Sequence, residues 1–328
     1  VNPKHLYLLA CPVCQSELDF RNTHFENGRI RSGELCDKNG HAFPIIDFIP
    51  RFVPRENYVS NFSAQWEKWP ELLSCYDGYK ERFFNETKWG SDLKGALMLE
   101  AGCGAGTFTP FAASTGATVV SFDLSTGVDA NYLKSGCLEN VLIVQADIFA
   151  MPMKKGLFDY IFCFGVLQHT PSPKKAFMEL CYRLSDRGQL AVDNYTMPPI
   201  GHSYEMLWKN KYRVRYVTSR FSEKTVLKLV WAYVNVLWPL TRMSLLLFGE
   251  YGVAMNRFFL FDDYKGRLPG MDEKRYKSFA MLDIYDFLAP KYDIPVDIDE
   301  LKSWFCSAGL NNHEVHFGYN GIEGRGSR

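Results

Sequence analysis

Three carboxylates stand at the ends of three successive apolar runs. Glu100 closes Leu97-Met98-Leu99-Glu100, Asp123 closes Val119-Val120-Ser121-Phe122-Asp123, and Asp147 follows Val141-Leu142-Ile143-Val144-Gln145-Ala146. Just after the first run, Gly102, Gly104 and Gly106 occupy alternate positions. Glycines so spaced allow a ligand to lie directly on the backbone, and strand-end carboxylates accept hydrogen bonds from amino and hydroxyl groups. A dinucleotide turn would read Gly-x-Gly-x-x-Gly and would need a seat for pyrophosphate, and this one reads Gly-x-Gly-x-Gly after an acid. Further along, Phe164-Gly165-Val166-Leu167-Gln168-His169-Thr170-Pro171 follows a fourth apolar run, and Asp193-Asn194-Tyr195 ends a fifth. His169 has the side chain whose ordinary pKa suits a general base at neutral pH; the alternative is a structural histidine fixing the loop. A separate constellation opens the chain: Cys11-Pro12-Val13-Cys14, then Cys36 and His41. Three thiolates and one imidazole are a donor set for tetrahedral zinc.

These groups need rigid supports. Apolar runs at 97–100, 118–122, 141–145, 158–164 and 189–194 predict strands, and helical patterns are expected at 107–115, 127–135 and 173–184. Such alternation predicts an α/β fold with a parallel sheet and helices on both faces, where ligands bind beyond the carboxyl ends of the strands. A helix over 297–308 and a strand over Asn312 to Phe317 are expected later. The chain is expected to divide into a small module at 1–50, an aromatic-rich helical linker at 51–92, a sheet domain at 93–195 and 293–328, and a helical lid or substrate insertion at 196–292. The linker carries Phe62, Trp66, Trp69, Tyr76, Tyr79, Phe83, Phe84 and Trp89; cover of the cofactor and plain core packing both remain open for it. The insertion carries a basic-aromatic stretch from Trp208 to Phe221, then the apolar segment Val226 to Phe248. Lys228, Pro239, Thr241 and Arg242 interrupt that segment, so no transmembrane span is expected; buried or lid helices are favoured over a surface-attached helix.

The chain has 328 residues, 47% of them apolar, and 37 basic against 37 acidic side chains. Zero net charge speaks against bulk nucleic-acid binding, although a local basic patch could serve. Nine Cys, mostly single within apolar segments, and no visible secretory signal lead us to expect a cytoplasmic protein with reduced thiols.

With motifs in this order and spacing, residues 60–195 and 280–320 resemble the class I methyltransferases that use S-adenosylmethionine (SAM), of the type 11 methyltransferase-domain kind. The resemblance implies a Rossmann-like seven-stranded sheet with SAM as cofactor. It implies that Glu100 helps hold the methionine amino group, and that Gly102, Gly104 and Gly106 turn under the methionine and ribose. Asp123, with Leu124 beside it, would accept the ribose hydroxyls, Asp147 would accept the adenine amino group, and Ile148 would pack on the ring. Phe164 and Gly165 would flank the methionine, with His169 near the methyl donor. Tyr195, Asp193, Tyr292 and Asp286 become substrate-side candidates. Two departures stand out: Gln168 replaces the first of a usual His pair, and Asp186-Arg187-Gly188-Gln189 replaces a Lys-Pro-Gly-Gly turn. Residues 1–50 resemble the zinc ribbons found in front of ribosomal-RNA guanine methyltransferases and the ribbon proteins that partner tRNA and protein methyltransferases. The match runs from Cys36 to Pro50, with Asn39 where the last Cys would stand, so either His41 completes a site with Cys11, Cys14 and Cys36 or the ribbon is metal-free.

Methyl transfer to a small-molecule acceptor with an apolar portion is the leading expectation. An RNA methyltransferase using the ribbon for recognition is the second, and a non-catalytic SAM-binding scaffold the third. Gly165-Val166-Leu167 replaces the Asn/Asp-Pro-Pro-aromatic signature of many amino-group enzymes, which disfavours base-nitrogen chemistry. Oligomeric state is not encoded in any motif.

Overall fold

The computed structural model describes residues 1–54, 59, 69, 78–198, 201, 202, 204–267 and 270–328. The chain divides into two compact units, the first made of Val1–Asn57, Asp77–Thr196 and Tyr292–Arg328, the second of Tyr58–Tyr76 and Met197–Lys291. Phe62, Trp66 and Tyr76, three aromatics of the expected linker, lie outside the described residues.

The first unit opens with a four-stranded antiparallel sheet in the order β1 (Asp19–Glu26), β2 (Arg29–Cys36), β3 (Ala42–Ile46), β4 (Ile49–Pro50). Helix α1 (Gly78–Thr87) follows. Then come β5 (Leu97–Ala101), α2 (Thr109–Ser114), β6 (Thr118–Asp123), α3 (Gly127–Ser135), β7 (Val141–Gln145), β8 (Phe158–Cys163), α4 (Pro173–Cys181) and β9 (Leu184–Asn194). Strands β5 to β9 pair in parallel, and the chain reverses its direction of travel across the sheet between β7 and β8. Glu100 and the glycine turn therefore sit at the switch point beside β8, where α/β sheets bind ligands. Both faces of the sheet are covered, which is why its strands read as unbroken apolar runs. Leu99, Val120 and Ile161 enter one buried cluster, and their neighbours Met98, Val119 and Phe162 enter another.

After the second unit the chain returns with α10 (Ile298–Ser307), β10 (Asn311–Gly318) and β11 (Gly321–Ser327). The seven-stranded order is β10-β11-β9-β8-β5-β6-β7, with β10 and β11 antiparallel to their neighbours. β11 has no apolar periodicity and was not expected as a strand. Its glycines fit because the Phe305 ring of α10 lies against them: a Cβ on Gly324 or Gly326 would stand 2.6 or 2.8 Å from that ring. The turn expected at 186–189 also lies within a strand, since β9 starts at Leu184 and carries an irregularity opposite Phe158 and Tyr160. The helix expected to reach residue 184 ends at Cys181.

The N-terminal sheet shares its core with the large one. Leu9, Leu18, Leu35 and Ile45 are buried in the same cluster as Val144, Met151 and Met153. Arg29 fixes the junction. Its guanidinium donates to the carbonyls of Gly136, Cys137 (2.8 Å) and Leu138 (3.4 Å) and pairs with Glu139 at 2.9 Å. Arg51 adds a hydrogen bond to Gln145 of β7 at 3.0 Å, and the Phe48 and Tyr132 rings stack 5.3 Å apart.

The second unit is helical: α5 (Glu205–Thr218), α6 (Glu223–Phe248), α7 (Glu250–Phe258), α8 (Tyr264–Arg267) and α9 (Glu273–Leu288). Val226, Val230, Val234 and Trp238 of α6 pack with Tyr276, Ala280, Ile284 and Tyr285 of α9. Pro239 is accommodated within α6. The basic-aromatic stretch splits in use. Arg215 donates to the carbonyls of Phe287 (3.0 Å) and Pro290 (2.8 Å), and Thr218 to that of Leu288 (3.1 Å), so α5 caps the open end of α9. Lys211 is buried among the rings of Trp208, Tyr212 and Phe287. Among the described residues, no helix is long and apolar enough to cross a membrane.

Arg29→Ala should destabilise the first unit by about 2–3 kcal/mol, because charged hydrogen bonds to helix-end carbonyls would be lost. Urea unfolding of Arg29→Ala against Arg29→Lys checks this; equal stability of all three proteins would remove Arg29 as the anchor.

Candidate cofactor site and metal cluster

The loop after β5 can close only with glycine at two of its positions. Gly102 and Gly106 have φ of 75° and 76°, the left-handed region. A Cβ at Gly102 would stand 2.1 Å from Val166 Cγ2, and one at Gly106 would stand 2.1 Å from Asn131 Oδ1. The loop is tied to β6 through Asp123: Gly104 N–H donates to Oδ2 (2.8 Å) and Ser125 N–H to Oδ1 (2.7 Å). Each carboxylate oxygen keeps further acceptor capacity beyond those bonds. Burial raises the Asp123 pKa, and the two backbone N–H groups oppose that shift.

Glu100 lies deeper. Its Oε2 accepts from Thr109 Oγ1 (2.5 Å) and Ser121 Oγ (2.7 Å), and Asn131 Nδ2 donates to both hydroxyls (2.9 and 3.0 Å). Burial pushes the Glu100 carboxyl up to about 7 against the two hydroxyl hydrogen bonds. Asp147 Oδ1 caps a short 3-10 turn by accepting from Phe149 N–H at 2.9 Å, and Ile148 within that turn is buried. Leu124 offers its carbonyl to Gln145 Nε2 at 3.0 Å. Phe164 belongs to a ring cluster with Phe108 and Phe162, at centroid separations of 5.5 and 5.3 Å.

Gly165, at φ 71°, donates its N–H to Asp193 Oδ1 at 2.5 Å. That carboxylate is the end of an ion-pair chain that sequence reading missed. Arg82 Nη2 meets Asp193 Oδ2 at 2.7 Å, and Arg82 Nε meets Glu86 Oε1 at 2.6 Å. Burial, then the neighbouring carboxylate, raises the Glu86 pKa to about 8, and burial raises that of Asp193 to about 6 despite the guanidinium. Arg82 precedes the sheet by a helix and matches no local motif; the only signal for it was a basic side chain among the aromatics of α1.

The structure brings the His169 ring, the Tyr195 ring and the Tyr292 backbone together. His169 Nδ1 lies 3.0 Å from the Tyr292 carbonyl, and its ring meets the Tyr195 ring edge-on at 5.5 Å. A carbonyl only accepts, so Nδ1 carries the hydrogen, and Nε2 is the basic nitrogen of the neutral ring. Backbone bonds from Ile294 to Gln168 (2.8 Å) and from Val296 to Tyr195 (2.9 Å) hold this corner. Asp286 belongs to the second unit.

In the N-terminal sheet, Cys11, Cys14 and His41 converge, but Asp37 takes the place expected for Cys36. One donor atom from each of Cys11, Cys14, Asp37 and His41 lies within 4.8 Å of the others. His41 Nδ1 stands 3.6 Å from Cys11 Sγ, 3.9 Å from Cys14 Sγ and 2.7 Å from Asp37 Oδ2. Asp37 Oδ1 accepts from the N–H groups of Asn39 and His41, both at 2.9 Å, which aims Oδ2 at the sulfurs. Cys36 ends β2 opposite Ala42 and is buried, and successive side chains alternate in direction, so the next residue faces the cluster. Two sulfurs, a carboxylate and an imidazole at these spacings suit a four-coordinate divalent ion, with the Asp37–His41 pair opening slightly to admit it.

Residues 99–192 match the family described as methyltransferase domain. The chain thus carries a methyltransferase domain on a Rossmann-like sheet. Over 100 residues it is 36% identical to a ubiquinone biosynthesis O-methyltransferase from Paraburkholderia xenovorans, covering 29% of this chain and 42% of that protein. Over 139 residues it is 32% identical to a tRNA U34 carboxymethyltransferase from Campylobacter hominis, covering 39% and 47%. The chain therefore spans less than half the length of these two relatives. A solved phosphoethanolamine N-methyltransferase 2 from Haemonchus contortus is 14% identical, with a TM-score of 0.45, over 84% of this chain and 49% of that one.

A buried acid whose pKa is raised on folding contributes stability that is present below its unfolded value and lost as pH rises through the folded one. For Glu100 that window runs from 4.5 to about 7. Ligand-free protein should lose stability across it, with a slope of up to ~1.4 kcal/mol per pH unit from this group. Glu100→Gln should flatten the profile in thermal or urea unfolding, and an unchanged slope would contradict the assignment.

Proposed function

We propose that this chain is a SAM-dependent methyltransferase acting on a small-molecule acceptor, a biosynthetic intermediate with an apolar portion. The observation that carries the reading is the charge of the turn at the sheet's switch point. Glu100, Asp123 and Asp147 end three adjacent strands, and the segment from Ala101 to Phe108 contains no Lys or Arg. That suits a nucleoside bearing positive charge and no phosphate, and the left-handed φ at Gly102 and Gly106 lets the turn pack closely against Val166 and Asn131 beneath that seat. SAM would supply a methyl group activated by its sulfonium. Asp123 would accept the ribose hydroxyls on lone pairs its backbone bonds leave available, with Leu124 alongside. Asp147 would accept the adenine amino group, with Ile148 against the ring. Phe164 and Gly165 would flank the methionine, the latter held in place by Asp193. Glu100 would act on the methionine amino group, and a bound ammonium would favour its ionised form. Where the acceptor carries a proton, His169 Nε2 would receive it, with Tyr195 and Tyr292 lining the acceptor side. The similarity to an O-methyltransferase of ubiquinone biosynthesis supports a small acceptor.

An RNA acceptor is the second reading, favoured by the similarity to a tRNA-modifying enzyme. The metal cluster is proposed to hold a structural zinc through Cys11, Cys14, Asp37 and His41, stapling a sheet too small to be stable alone.

Asp123→Ala and Asp147→Ala should each weaken SAM binding roughly tenfold or more in calorimetric titration, the loss expected for hydrogen bonds to a charged group. Normal binding by both would show the cofactor site to be misplaced. Metal analysis should find about one zinc per chain, as expected for a single four-ligand site. Asp37→Ala should lower both zinc content and melting temperature, whereas Cys36→Ser should keep the zinc. Zinc lost with Cys36→Ser and retained with Asp37→Ala would restore the original ligand set.

A further inference from the structure

Helix α6 is apolar on two opposite faces. One face, with Val226, Val230, Val234 and Trp238, is buried in the second unit's core. On the other, Leu229, Val236, Leu240, Met243 and Leu247 recur at helical spacing and are 47, 69, 52, 52 and 64% exposed. A surface helix ordinarily carries polar side chains on that face. The turn into α7 extends the stripe with Leu246 and Tyr251, which are 84 and 83% exposed, and with Phe248. From Leu229 to Tyr251 the charged residues are two: Arg242, which turns inward to Glu273 at 2.7 Å and over the Trp238 ring, and Glu250, exposed at the first residue of α7.

Thr241, Ser244 and Asn256 of this hairpin bond between its own helices. A Cβ on Gly252 would stand 2.3 Å from the Ser244 carbonyl, so α7 lies close on α6. Ser244 Oγ donates to Asn256 Oδ1 at 2.7 Å, and Asn256 Nδ2 donates to the Thr241 carbonyl at 3.1 Å. Small residues and hydrogen bonds lie inside while apolar side chains point outward, as in helix pairs that pack within lipid.

Charge completes the picture. Residues 201–249 hold eight Lys or Arg against two Asp or Glu in a chain of zero net charge. Lys211 and Arg215 are buried, but Arg213, Arg220, Lys224 and Lys228 are exposed on α5 and the first turns of α6. We propose that the α6–α7 hairpin seats this protein on an anionic lipid surface, its apolar stripe in the acyl boundary and these cations at the headgroups. The hairpin lies in the interface and does not span it, since no described helix is long and apolar enough to cross. A second copy of the chain fits less well, because pairing through the stripe would bring two cationic collars together. The proposal rests on this surface alone and stands apart from the methyl-transfer reading.

The full chain should sediment with phosphatidylcholine vesicles containing about 30% phosphatidylglycerol and much less with phosphatidylcholine alone, and salt should weaken the binding. Brominated acyl chains should quench the fluorescence of a Leu240→Trp variant, whose side chain stands on the stripe. Leu246→Asp with Leu247→Asp should reduce vesicle binding roughly tenfold or more while the melting temperature holds, since both side chains are exposed. No sedimentation of the parent protein with the anionic vesicles would overturn the proposal. So would equal binding by the double variant, or a concentration-dependent dimer that the double variant abolishes. If the double variant fails to fold, quenching of the Leu240→Trp variant decides: absence of quenching overturns insertion of the hairpin.

Discussion

The site depends on one carboxylate that ties the loop leaving one strand to the end of the next. Asp123 accepts from Gly104 on Oδ2 and from Ser125 on Oδ1, so the end of β6 sets the path of the loop leaving β5. The loop can follow that path because Gly102 and Gly106 take left-handed φ where any Cβ would collide with Val166 or Asn131. Asn131 in turn organises the hydroxyls that bind Glu100. Hydrogen bonds and close packing thus join the glycine turn, two strand ends, Thr109 at the start of α2 and Asn131 within α3. Glu100 and Asp123, two of the groups proposed to hold the cofactor, belong to this arrangement, so at those residues binding and folding would draw on the same side chains.

A second constraint operates across β8 and β9. Asp193 spends one oxygen on Gly165 and the other on Arg82, and Arg82 bridges to Glu86. Buried carboxylates facing one guanidinium leave a surplus of negative charge, which the raised pKa values of Glu86 and Asp193 relieve by favouring the protonated forms. The backbone beside the expected methionine position is thereby fixed from a helix far upstream in sequence. The N-terminal sheet is fixed by a guanidinium too: Arg29 donates to the carbonyls of Gly136, Cys137 and Leu138, which follow α3.

What the sequence revealed, and what it hid, follows from the range of the interactions. The parallel strands were legible because each is buried on both faces and reads as an apolar run. The glycine turn was legible because left-handed backbone leaves a residue-type trace. β11 was hidden because its glycines answer to the Phe305 ring, a long-range contact with no local signature. Arg82 was hidden for the same reason. In the cluster of Cys11, Cys14, Asp37 and His41, spacing found three of the four convergent residues and missed Asp37, because the direction of a side chain at a strand end depends on where the strand stops. Cys36 and Asp37 are neighbours, and one more paired residue exchanges their roles.

The second unit was read from sequence as apolar and basic, and both descriptions hold, but the cations are divided between structure and surface. Lys211 and Arg215 serve the fold, and Arg213, Arg220, Lys224 and Lys228 remain outside. The central claim is that the carboxylate-ended switch point serves methyl transfer to a small molecule. Incubation with methyl-labelled SAM and a cell extract, followed by separation of RNA, protein and small-molecule fractions, tests it most directly. The account predicts label in the small-molecule fraction that Asp147→Ala abolishes. Label confined to RNA, or equal labelling by Asp147→Ala, would contradict it.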